Sequence, residues 1–131
     1  MKPKKIWANL AVADLDRTTK FYTTLGIKPN GRSDELTSFL FGDNDFIIHL
    51  FLKEILQTNL KIEIADSHKA SEIVFTLSAE NKLQVDAWAK EVEKAGGKLI
   101  SPPEEFGKGY YGFLFADPDG HKFNVFYMEG L

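Results

Sequence analysis

Five side chains with chemical potential sit in short, mostly apolar runs: Trp7, Asn9, His49, Glu72 and Asn124. His49 interrupts Phe46–Leu52, and the two-residue period of a strand places it on one face with Ile47 and Phe51. An imidazole there is a metal ligand, a polar group in a ligand pocket, or a core histidine satisfied by a neighbour. Glu72 opens the run Glu72–Leu77. Turned into an apolar pocket, its carboxylate would serve as a base or hold a cationic ligand. Slipped by one residue, it is a solvated strand end. Asn124, in Lys122–Tyr127, either bonds a ligand or satisfies a buried backbone amide. Trp7 and Asn9 share one face of Ile6–Val12, where the indole is core or a flat wall for a ring or cation. Phe51, Phe126 and the residues around Tyr110 extend that wall.

Other chemistries are excluded or unsupported. There is no cysteine, so no disulfide, thiolate metal site or thiol nucleophile exists. His68 and His121 fall in a connector and beside a turn. Gly107, Gly109 and Gly112 around Tyr110-Tyr111 suggest a mobile flap but match no phosphate loop, because no lysine-plus-hydroxyl helix start follows. The net charge of -3 comes with scattered lysines and no basic stripe, which argues against nucleic acid. No apolar run reaches the roughly 18–20 residues of a membrane span, and the basic Met1–Lys5 lacks the apolar segment of a signal peptide. A cytoplasmic protein that contacts neither membrane nor nucleic acid is expected.

The elements that must position these residues are written twice. A strand at Ile6–Val12 stops before Asp14, a good helix N-cap. Leu15, Phe21, Tyr22 and Leu25 then give a buried stripe that ends at Gly26. Strands are expected at Ile27–Asn30, Leu36–Phe41 and Phe46–Leu52. In the second half, a strand at Glu72–Leu77 precedes a helix opening at Asn81, with Gln84 at capping-box spacing. Val85, Trp88, Ala89, Val92 and Ala95 share one face of it before Gly96-Gly97. Strands follow at Lys98–Ser101, Tyr111–Phe115 and Lys122–Tyr127, the last two joined through Pro118 and Gly120. "FLFGDND" and "FLFADPD" agree at five of seven positions at an offset of 74, and the first strands align at an offset of 65, pairing Trp7 with Glu72. The fold class is α+β, from two βαβββ modules sharing a curved sheet and core within one domain spanning 1–131. Module one covers about 4–60 and module two about 71–129. The connector, about 53–70, carries a short helix at Glu54–Thr58.

"NLAVADLDRTTKFYTTLGI" resembles the opening of the vicinal oxygen chelate superfamily, and "GFLFADPDGHKFNVFYME" its closing hairpin. That group includes glyoxalase I, bleomycin-resistance proteins and extradiol dioxygenases. The resemblance implies a cup-shaped sheet in which the first and last strands of each module aim side chains at a divalent ion that chelates vicinal oxygens of the substrate. Carried over one by one, the four ligand positions fall on Trp7, His49, Glu72 and Asn124. Only His49 and Glu72 readily bind such an ion, and a catalytic ion generally keeps three protein ligands. The expectation is therefore an aromatic-lined cup that binds a small organic molecule without a metal cofactor. Trp7, Asn9, His49, Phe51, Glu72, Tyr110, Asn124 and Phe126 line it, with Glu72 the candidate base. The alternative is a metal-dependent lyase, isomerase or dioxygenase in which His49 and Glu72 hold a divalent ion. The superfamily also implies a homodimer.

Overall fold

The computed structural model describes residues 1–130. They form two units, Met1–Ala65 and Asp66–Leu131, each a βαβββ module with its own four-stranded mixed sheet.

In the first unit, β1 (Ala8–Val12) leads into α1 (Leu15–Thr24), followed by β2 (Lys28–Arg32), β3 (Leu36–Phe41), β4 (Phe46–Leu52) and α2 (Lys53–Leu60). Helix α1 starts where it does because Asp14, in extended backbone, accepts the Arg17 amide on Oδ1 at 3.0 Å. It stops at Leu25, and Gly26 takes a φ of +81°. The sheet order is β1-β4-β3-β2, with β1 parallel to β4 and the other pairs antiparallel. One face packs on α1: the Tyr22 ring lies 5.4 Å from Phe39 and 5.9 Å from Phe41. Val12, Phe21, Ile48 and Leu50 complete that buried layer. Strand alternation sends Asn9, Ser38, Ile47, His49 and Phe51 to the opposite face, and Trp7, just before β1, lies near His49.

The second unit runs β5 (Val74–Ser78), α3 (Lys82–Ala95), β6 (Lys98–Phe106), β7 (Tyr110–Ala116) and β8 (Lys122–Met128), in sheet order β5-β8-β7-β6. Asn81 caps α3 by accepting the Gln84 amide at 2.8 Å, and Gln84 Oε1 accepts in return from the Glu80 amide. Val85, Ala89 and Val92 are buried, and Gly96 closes the helix at a φ of +101°. Phe113, Phe115, Phe123 and Val125 fill the helix-facing side of the sheet, with Phe115 stacked on Phe123 at 5.2 Å.

Two strands depart from expectation. β5 begins at Val74, not Glu72, because its only partner among the described residues, β8, begins at Lys122 and pairs with Val74. Residues before Val74 have no ladder to join. β6 extends through Pro102 and Pro103 to Phe106. It is an edge strand, its register against β7 shifts at two places, and the prolines fall in the second of these, between Ser101 and Glu104, where the ladder is already interrupted.

The β7–β8 turn is held by Asp117, whose Oδ1 accepts the Asp119 and His121 amides at 3.0 and 2.9 Å. Gly120 is required twice over. Its φ is +89°, and a Cβ there would stand 2.6 Å from the His68 nitrogen. Beside it, Lys122 Nζ donates to the Ser67 carbonyl at 2.7 Å, to Ser71 Oγ at 3.0 Å and to the Gly120 carbonyl. The turn and the segment leading to β5 are thereby tied together. No helix among the described residues is long and apolar enough to cross a membrane.

Candidate functional site

A polar row crosses the first unit's sheet on the face away from α1. Asn9 lies beside His49 across β1–β4, and Ser38 lies beside His49 across β3–β4. The His49 Nδ1 is 2.8 Å from Ser38 Oγ, and Asn30 Nδ2 donates to the same oxygen at 3.0 Å. Asn30 reaches it from the irregular part of β2, where the register slips between Pro29 and Arg32. Ser38 is 2% exposed, whereas His49 is only partly buried. Burial lowers the His49 pKa from its ordinary 6.5, which favours the neutral ring.

Aromatic rings flank this imidazole. The Trp7 ring centroid is 6.3 Å from His49 at 66°, and Phe51 is 6.1 Å away at 88°. Trp7 is 51% exposed, which favours a wall over core packing. Asn9 is exposed as well.

The second unit presents a different surface on its corresponding face. Thr76, Asn124 and Leu114 form the cross-strand row, so the position beside Asn124 is a leucine where His49 has a serine. One pleat further, Phe126 lies beside Gly112, and its ring packs against Tyr110 at 5.4 Å and Phe106 at 5.8 Å. Phe106 and Tyr110 are themselves 6.1 Å apart, completing an aromatic trio. Gly112 is needed beneath it: a Cβ there would stand 2.1 Å from the Val125 carbonyl oxygen and 3.3 Å from the Phe106 ring.

Glu72 lies in a bend before β5 and is exposed. The residue two before Thr76 is Val74, just as Trp7 is two before Asn9. Glu72 therefore stands one pleat beyond the level of Trp7 when each is counted from the β4 or β8 neighbour. It is an exposed carboxylate outside the sheet.

The donor set does not fit a catalytic metal. Of the four carried-over positions, indole cannot coordinate and a carboxamide is a weak neutral donor, which leaves only His49 and Glu72, fewer than the three protein ligands a catalytic ion generally keeps. Among the described residues, no three His, Cys, Asp or Glu side chains converge where an ion would sit.

The model of the Glyoxalase/Bleomycin resistance protein/Dioxygenase superfamily matches residues 6–125. The chain belongs to this superfamily. Solved structures agree with the superfamily fold. Hypothetical protein SA1046 from S. aureus is 27% identical, with a TM-score of 0.85 over 97% of this chain and 95% of that one. A glyoxalase-related enzyme from Fulvimarina pelagi is 21% identical, with a TM-score of 0.84 over 95% and 88%. A lactoylglutathione lyase from Agrobacterium tumefaciens is 21% identical, with a TM-score of 0.69 over 97% and 96%. No curated protein matches the chain.

Ser38, Asn30 and Phe106 are the residues that sequence reading missed. Ser38 was within reach of it: counting back from the Gly42–Asp45 turn, which pairs Phe41 with Phe46, places Ser38 opposite His49. Asn30 carried no such signal, because its approach depends on the slip in β2.

Proposed function

We propose that this superfamily member binds a small organic molecule through apolar contact and ring stacking, without a resident catalytic metal. The observation that carries this reading is the His49 row. An imidazole, at a position that the resemblance assigns to a ligand, is bonded to Ser38, which Asn30 bonds in turn, and is flanked by the rings of Trp7 and Phe51. That is the make-up of a recognition surface, with a few polar groups set among aromatic ones. The trio Phe106, Tyr110 and Phe126, with Asn124 one row away, supplies a second aromatic surface of the same kind on the other unit.

The test combines elemental analysis of the purified protein with a fragment screen read by thermal shift and by perturbation of the Trp7 and His49 NMR signals. The expected result is a substoichiometric metal content and stabilisation by planar fragments. Stoichiometric Ni, Zn, Mn or Fe, with metal-dependent turnover lost in His49→Ala, would overturn the reading in favour of a lyase, isomerase or dioxygenase.

A further inference from the structure

We propose that Ser38 and Asn30 are positioning residues that hold His49 as the tautomer protonated on Nε2, so that the first unit offers one oriented N–H donor to an oxygen acceptor on a flat ligand. The ligand class rests on the small-molecule reading above. The tautomer does not.

Asn30 Nδ2 gives a proton to Ser38 Oγ at 3.0 Å. Ser38 is 2% exposed, so water is not at hand to take its own hydroxyl proton. The acceptor within reach is His49 Nδ1 at 2.8 Å. A neutral imidazole that accepts on Nδ1 carries its proton on Nε2. Nε2 is the ring nitrogen without a hydrogen-bond partner among the described residues. The opposite tautomer would leave a buried hydroxyl proton with no acceptor, which is disfavoured.

The same geometry argues against Ser38 as a nucleophile. Its oxygen is buried and already accepts from Asn30, and no substrate atom reaches an oxygen so enclosed. The working atom of the row is Nε2. An N–H donor flanked by an indole and a phenyl ring selects a planar apolar body bearing a carboxylate, carbonyl or phenolic oxygen. Such a surface has nothing to offer a cationic group at that atom.

Nitrogen-15 NMR of the imidazole at neutral pH tests the tautomer in the whole chain without any ligand. A single form with unprotonated Nδ1 and protonated Nε2 is expected, giving way to an averaged mixture in both Ser38→Ala and Asn30→Ala. A Nδ1-protonated ring, which would mean that Ser38 gives its proton to Asn30, overturns the assignment. So does a fixed tautomer that persists in both variants. Benzoate and benzamidine, matched in size and opposite in charge, test the ligand class. Benzoate is expected to shift the His49 Nε2–H signal and to bind at least tenfold more tightly than benzamidine, with that preference reduced in Ser38→Ala. Equal or reversed preference overturns the class. If no planar fragment of any charge binds, the small-molecule reading fails and the ligand class with it, whereas the tautomer result stands separately.

Discussion

Ser38 Oγ and His49 Nδ1 lie 2.8 Å apart across the β3–β4 pair, and this contact separates the two modules chemically. In the second module the residue beside Asn124 is Leu114, which offers no side-chain partner. Duplicated architecture thus carries unlike rows: an imidazole bonded to a cross-strand serine, and a carboxamide set between a threonine and a leucine.

The depressed His49 pKa has a consequence for stability. The unfolded chain takes up a proton near the ordinary 6.5, whereas the folded chain resists it until lower pH. The unfolded state then binds more protons, so stability falls as pH drops from about 6.5 toward the folded pKa and levels off below it. Thermal melts between pH 7.5 and 5 should show a steeper loss for the wild type than for His49→Gln. Parallel curves would remove His49 as the cause.

Trp7→Ala should leave the fold intact, since the residue is 51% exposed and precedes β1. A stability change within about 0.5 kcal/mol is expected for such a site. Affinity for a planar fragment bound beside His49 should fall about 3- to 10-fold, the order of one aromatic contact. Fluorescence titration and calorimetry check the two halves.

Gly112→Ala tests the close approach of β7 and β8. The new methyl would stand 2.1 Å from the Val125 carbonyl oxygen, so the strands must separate locally. A loss of about 1–3 kcal/mol is expected, from overpacking against backbone that cannot rotate away. The Phe106–Tyr110–Phe126 trio should loosen with it, visible as changed ring shifts.

Lys122→Met should free the chain leading to β5. Its ammonium holds the Ser67 carbonyl, Ser71 Oγ and the Gly120 carbonyl. Hydrogen exchange should quicken over residues 66–71 while α3 stays protected. Unchanged exchange over 66–71 would show that the loop is held by other contacts.

The fold was legible because local signals agreed with one another. Asp14 and Asn81 cap the helices that their side chains announced, and the turns at Gly42 and Gly120 fall where glycine permits a positive φ. Superfamily membership was legible from the opening and closing stretches. What escaped was cross-strand detail. Whether Glu72 belongs to a strand depends on where its partner begins, and β8 begins only at Lys122. The strand expected at Lys98–Ser101 runs on through Pro102-Pro103 to Phe106, because it is an edge strand whose register slips at the prolines. Asn30 joins the His49 row only through the slip in β2, a tertiary outcome with no marker in the chain.

Those two prolines also bear on the protein's behaviour at high concentration. An outer strand with consecutive residues lacking N–H groups, and with two interruptions of its register, is a poor template for another chain to extend. Extension of the sheet along the middle of β6 is disfavoured at the backbone level, before any side chain is considered.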